Sequence, residues 1–367
     1  MKRILSLVLC AGMVLIGGSG CGKSTKDTPY QKTNIAMGTM VTQTIYAEGS
    51  DELASHIDIL LQQLETEELS YRLPDSKVSK INQSLSNGET PVIQSPLDTY
   101  IQDCQKLWEK SNGALDITLG KVVSLWNIDT YSANGGEGFE VPSKEAIEEA
   151  LSQAGMEKIH LQNNQVPQDD QQASQQNDDH TTQQNSQPSS QFTFDGPVSL
   201  DLGAVGKGIA LDRIHDVLME SCASAAIIQV GGSVLTYGEK PNGQPFKVAV
   251  VNPLDTGKQL GYLSLKGQWC VSTSGDYERY VEKDGVRYHH ILDPKTGYPV
   301  NNELCSVTIL AKNGFLSDAL STACFVCGTK TGMELAKACE VEALFVNKNG
   351  ELTMTEGMQK IFVENKQ

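Results

Sequence analysis

The chain has 367 residues, with 29 Lys and Arg against 45 Asp and Glu and a formal net charge of -16. That length holds one large domain or two ordinary ones, and 39% apolar with 20% charged residues is the balance of a folded soluble chain. The acidity excludes nucleic acid as a partner, because no basic face meets a phosphate backbone, and three Trp and eight Phe make poor stacking platforms for bases.

The N-terminus reads as an export signal. Lys2 and Arg3 precede a short apolar run from Ile4 to Ile16, too short for a stable span. Gly17, Gly18, Ser19 and Gly20 then lead to Cys21, small residues before a cysteine as in the lipobox of bacterial lipoproteins. Gly18 departs from that pattern, which usually has Leu there. The expectation is a signal over residues 1–20, acylation of Cys21, a polar tether over 21–34 and a domain over 35–367, lipid-anchored on the extracytoplasmic face of the cell membrane. An ordinary secreted protein cut nearby is the alternative.

Residues 35–47 alternate apolar and polar as a strand does, with a break at Gly38. Leu53, Ile57, Leu60, Leu61 and Leu64 form one stripe of a helix over 51–69. Leu97, Ile101, Cys104, Leu107 and Trp108 mark a second helix over 95–111, and Ser143 opens a third over 143–154. Eleven of the thirty residues from 162 to 191 are Gln, a composition that cannot bury enough area to offset ordering, so this insert reads as a disordered loop. Strand-like pieces flank it at 158–161 and 192–202, which places it between neighbouring strands of one domain. After it come a helix over 206–219, strands over 224–230, 246–251, 261–266 and 303–311, helices over 315–327 and 331–339, and a strand over 343–347. Strands and helices alternate without a regular β-α-β rhythm, which predicts a mixed α/β (α+β) domain.

Of nine cysteines, loss of Cys10 with the signal and acylation of Cys21 leave an odd set at irregular spacing, not a disulfide framework. Cys324 and Cys327 form C-x-x-C inside an apolar helical run, and read as small core residues one turn apart.

Four segments carry chemistry. In D-L-G-A-V-G-K-G, Asp201–Gly208, glycines between a strand and a helix allow backbone amides to approach an anion at the helix N-terminus; a tight strand–helix turn explains the same residues equally well. T-S-G-D-Y-E-R-Y, Thr273–Tyr280, follows a strand ending near Val271. In H-H-I-L-D-P-K-T-G, His289–Gly297, a histidine doublet sits at the mouth of a Pro/Gly turn without zinc-ligand spacing. In S-D-A-L-S-T, Ser317–Thr322, Asp318 and Thr322 are four apart on one helical face. They are hard oxygen ligands of the kind Mg²⁺ takes alongside water and phosphate oxygens; the other reading is a surface Asp stabilised at a helix start.

Together with A-M-G-T-M, E-L-S-Y-R, G-A-L-D-I-T and G-G-S-V, these segments stand in the order found in the ApbE family of FAD:protein FMN transferases, and the chain resembles that family from about residue 33 to its C-terminus, the insert excepted. The resemblance implies a single compact domain that moves the FMN part of FAD, through a phosphoester, onto a Thr or Ser hydroxyl of an acceptor protein, releasing AMP and requiring Mg²⁺. It places Met37, Tyr71, Ala114, Leu115, Asp116, Asp201, Lys207 and Ile291 against FAD, the side chains of Asp318 and Thr322 and the carbonyl of Ala204 on Mg²⁺, and His290 as an acid–base group. Leu115 stands where the family usually has Phe and Gly206 where it commonly has Ala, neither removing a polar group. The implied partner is an exported acceptor with a D-x-x-[ST]-x-A-T-like motif. Asp318–Cys324 of this chain nearly matches that motif but ends in Cys324, so the chain is not read as its own target. Water in place of the acceptor hydroxyl would make the activity a FAD pyrophosphatase, and a non-catalytic flavin-binding lipoprotein is a third reading.

Overall fold

The computed structural model describes residues 28–162 and 191–365; the signal, Cys21 and the rest of the tether up to residue 27, and residues 163–190 of the insert lie outside the described residues. Its frame is an eight-stranded sheet. The strands are, in chain order, β1 (Tyr30–Ala36), β2 (Thr39–Tyr46), β3 (Ala225–Val230), β4 (Ser233–Gly238), β5 (Trp269–Gly275), β6 (Leu304–Ala311), β7 (Glu342–Asn347) and β8 (Leu352–Met354). Spatial order follows chain order and every neighbouring pair is antiparallel. The helices are α1 (Ser50–Gln63), α2 (Lys77–Ser86), α3 (Leu97–Lys110), α4 (Gly120–Trp126), α5 (Ile128–Ala133), α6 (Lys144–Ser152), α7 (Gly206–Glu220), α8 (Gly314–Ala338) and α9 (Glu356–Ile361).

The sheet is covered on both faces, which is why β6 is buried along its whole length. Val307 and Ile309 turn toward the main core with α7 and α8. Leu310 turns the other way, with Val234, Val271, Leu344 and Val346, onto a small sheet formed by Phe246–Val251, Gln259–Leu265 and Phe362–Glu364. This is the period-2 alternation of a strand with two apolar faces. One cluster running from Ala36 to Phe345 joins helices from both halves of the sequence, making a single compact domain of mixed helix and sheet. A further cluster, of Leu119, Val122, Trp126, Ile128, Phe139, Ile147, Val281 and Leu292, packs α4–α6 beneath a hairpin of Tyr280–Lys283 with Val286–His289.

Several elements differ from the sequence expectation. The stretch 35–47 is a hairpin, not one strand: Ala36 pairs with Thr39, and Met37 and Gly38, with φ of 53° and 66°, make the two-residue turn that favours positive φ at both positions. The helix expected to 69 stays α-helical only to Gln63, continuing as a π-helical stretch, Leu64–Leu69. The strand expected over 192–202 ends at Phe194, leaving an isolated bridge between Leu119 and Ser199. The strand expected to end near Val271 runs on to Gly275, since Ser272–Gly275 pair with β6. The two C-terminal helices meet at Gly328, whose φ of 76° and ψ of 173° break α8. Ile159–Gln162 and Gln191–Phe194, which flank the insert, pair antiparallel with Gln162 opposite Gln191. Among the described residues, all the cysteines are free, with Cys324 buried and Cys327 partly so.

Candidate functional site

The site grows from the place where the N-terminal ends of α7 and α8 meet. Asp201 donates its amide to the Ile117 carbonyl at 2.7 Å and accepts from the Gly203 amide at 2.8 Å, an Asx-type turn that launches the chain into α7. Asp212, further along α7, accepts from the amides of Gly314 (2.5 Å) and Phe315 (2.8 Å), while Asn313 caps α8 by accepting from Leu316. The orphan donors of one helix start are thereby satisfied partly by its neighbour.

Asp318 is 1% exposed, so the reading of it as a surface residue is wrong: α8 lies against the sheet, not over solvent. Its Oδ2 accepts from the Gly208 amide at 2.9 Å, and its Oδ1 from the Ser233 hydroxyl at 3.2 Å, with the Lys207 ammonium 3.1 Å from Oδ1. One turn on, the Thr322 hydroxyl is 3.1 Å from Ser274 Oγ, which is also 2.7 Å from Ser321 Oγ. A seam of hydroxyls therefore fastens α8 to β5.

In front of this seam opens a cleft of about 900 Å³. Met37, Tyr71, Ala114, Leu115, Asp116, Asp201, Ala204, Lys207, His290, Ile291 and Thr322 all line it, although they come from segments spread over the whole chain. Asp318 stands behind the wall and reaches the cleft through Lys207. Met37 is held in its left-handed conformation, uncommon for a side chain with a Cβ, with its amide donating to Glu65 Oε2 at 2.6 Å. Glu65 belongs to the π-helical stretch, an irregularity frequent at functional sites. Burial, with the Asp201 carboxylate adding to it, pushes the Tyr71 phenol up to about 12. Burial likewise raises the carboxyls of Asp116 and Asp201.

The two histidines differ. His289 is buried and bonds the Val300 carbonyl through Nε2 at 2.8 Å, a structural tie under the D-P-K-T-G turn. Nδ1 of His290 lies 3.2 Å from the Arg279 carbonyl. A carbonyl only accepts, so Nδ1 carries the proton and Nε2 keeps its lone pair. Burial and the Arg279 charge hold His290 down at about 3, against a partial opposing pull from Asp129. The imidazole is therefore neutral at physiological pH.

Sequence reading missed a charged cluster on the same wall. Asp129, at the start of α5, accepts from Arg72 and, at 3.0 Å, from Arg279, and all three line the cleft. Burial works to raise the Asp129 carboxyl, but the two guanidiniums outweigh it and hold it at about 2. Arg279 and Glu278 fall inside the T-S-G-D-Y-E-R-Y segment, so that pattern marked them without a role. For Asp129 the local signal is thin: Asn127 precedes it in the left-handed region and nothing else sets it apart.

Among the described residues no three His, Cys, Asp or Glu side chains gather as a metal cluster. A carboxylate, a hydroxyl and a carbonyl from Asp318, Thr322 and Ala204 do suit Mg²⁺, which takes few protein oxygens and fills its octahedron with water and phosphate. Asp318 also already holds a cation, the Lys207 ammonium.

Residues 37–345 match the ApbE family profile. A relative from Vibrio cholerae serotype O1, named FAD:protein FMN transferase, is 28% identical over 352 residues, covering 94% of each chain. A Treponema pallidum relative of the same name is 30% identical, over 91% of this chain and 88% of its own. The crystal structure of the ApbE protein of Thermotoga maritima superposes with a TM-score of 0.75 at 29% identity, over 92% of this chain and 100% of that one.

Proposed function

The chain belongs to the ApbE family, and from that premise we propose that it is a FAD:protein FMN transferase that links FMN through a phosphoester to a Ser or Thr hydroxyl of an exported acceptor protein and releases AMP. The observation that carries this reading is the convergence of the motif residues on one cleft, whose volume lies toward the upper end of the roughly 300–1,000 Å³ usual for ligand sites.

The chain's own groups divide the work. The glycine-rich start of α7 and Lys207 present amides and an ammonium to the pyrophosphate of FAD. His290 Nε2 takes the proton of the acceptor hydroxyl as its oxygen attacks the FMN phosphorus, and the bond from that phosphorus to the bridging oxygen breaks with AMP as leaving group. His290 is a weak base at about 3, and the negative charge of bound pyrophosphate raises its basicity in the complex. Mg²⁺, held by Asp318, Thr322 and the Ala204 carbonyl, would neutralise charge on the phosphate oxygens.

The test is purified protein with FAD and Mg²⁺, with and without an acceptor domain, followed by in-gel flavin fluorescence and AMP assay. Labelled acceptor with AMP supports transfer. FMN and AMP without labelled acceptor indicate pyrophosphatase activity instead, and neither signal indicates a binding module.

We further propose acylation at Cys21 and anchoring at the extracytoplasmic face of the cell membrane, supported by the small residues before that cysteine. A Cys21→Ser chain should leave the membrane fraction; one that stays wholly bound contradicts the anchor.

A further inference from the structure

We propose that the Lys207 ammonium is the resident cation of Asp318 and that a divalent ion binds there only by displacing it, so that metal and Lys207 exclude one another. This rests on the reading of Asp318 as a metal ligand.

A carboxylate that is 1% exposed requires charge compensation and donated hydrogen bonds. Asp318 obtains both from Lys207, Ser233 and Gly208. The three differ in freedom. The Gly208 amide belongs to α7 and Ser233 to β4, so neither can leave without moving the fold. Lys207 has a four-carbon stem of rotatable bonds, its side chain is 19% exposed, and it lines the cleft.

A divalent ion on Asp318 with Lys207 still at 3.1 Å would put two cations on one carboxylate in a site with little water to screen them. The mobile one must go. Glu278, on the same cleft wall, is a second acidic group that feels the Lys207 charge, and burial already strains its carboxyl upward. The other destination is an anionic phosphate in the cleft. A bound pyrophosphate would draw Lys207 off Asp318, so phosphate and metal would favour each other's binding. Without phosphate, a divalent ion must compete with the ammonium for Asp318 and binds it more weakly.

The experiment titrates the full chain, free of flavin, with Mn²⁺ and reads free ion by electron paramagnetic resonance. Lys207→Met and Lys207→Gln should bind Mn²⁺ about tenfold more tightly than the wild type, within the usual range of site–site coupling. Lys207→Arg, which keeps the charge, should bind no more tightly than the wild type. Thermal melts of each variant establish folding. Met and Gln variants that bind Mn²⁺ no better than the wild type, while Asp318→Asn loses it, would overturn the proposal. An Asp318→Asn chain with unchanged Mn²⁺ affinity would also overturn it, and would remove Asp318 from the metal reading while leaving flavin transfer to its own assay.

Discussion

Gly208 and Gly314 meet backbone to backbone where α7 passes α8: a Cβ on Gly208 would fall 2.2 Å from the Gly314 carbonyl oxygen, and one on Gly314 2.4 Å from that of Gly208. Two glycines let the helix starts come close enough for the Gly208 amide to reach Asp318. Here glycine serves close approach, not turn geometry. The same contact therefore sets both the packing and the site.

Gly208→Ala should destabilise the fold by about 1–3 kcal/mol, the usual cost of overpacking, because the obstacle is backbone and cannot rotate away. The added methyl would also lie 2.7 Å from Asp318 Cβ, so the carboxylate moves with the helix. Urea denaturation measures the loss. An unchanged midpoint would mean that the helices separate at little cost.

Acid should weaken the protein through its histidine doublet. His289 is held down at about 4, chiefly by burial, and His290 at about 3, by burial and Arg279; the ordinary value is about 6.5. Between those values the unfolded chain binds protons that the folded chain refuses, so stability falls as pH drops from about 6.5 toward 3. The melting temperature of the wild type should decline over that window. His289→Gln, which removes one of the two groups, should show a shallower decline, and equal slopes would assign the acid sensitivity elsewhere.

Asp129→Asn should lower kcat/KM for flavin transfer by about 5- to 30-fold, the equivalent of one or two kcal/mol, and lower the melting temperature as well, because the ion pairs that depress its carboxyl also stabilise the fold. The carboxylate gathers Arg72 and Arg279, and the Arg279 carbonyl orients His290. Asn keeps the size and loses the charge that holds two guanidiniums. Steady-state kinetics with varied acceptor check this, and wild-type kcat/KM would show that the cluster does not position His290.

Replacing Asn163–Ser190 by a short Gly/Ser turn should change stability by less than about 0.5 kcal/mol, as for a surface substitution, and leave turnover intact. Gln162 and Gln191 are already cross-strand partners, so a hairpin turn closes the gap, and loop-closure entropy varies slowly with length. A tenfold loss of activity would show that the segment touches substrate.

Much of the site was legible locally. Lys207 stands in a run with Gly203, Gly206 and Gly208, and His290 stands at a Pro/Gly turn; glycine, proline and histidine in such short patterns carry their meaning in the chain itself. Other parts were not. The sequence signal of α2, the Ser76 cap with Val78, Ile81 and Leu85 on one face, is short enough to pass for loop. The burial of Asp318 was invisible because α8 is packed between sheet and α7, and its alternation of small and apolar residues looks the same whichever face is covered.

By itself the sequence determined the type of domain and the order of most elements, because periodicity and turn chemistry are properties of neighbours along the chain, and its motifs, through the resemblance they carry, pointed to many of the residues that line the cleft. Tertiary structure alone decided that Asp318 is paired with Lys207 behind the cleft wall, and that Asp129 joins Arg72 to Arg279 across it. Those contacts link residues 57 to 150 positions apart. Local patterning does not encode such distances; they follow from how the excursions after β2, β5 and β6 fold back onto the same face of the antiparallel sheet.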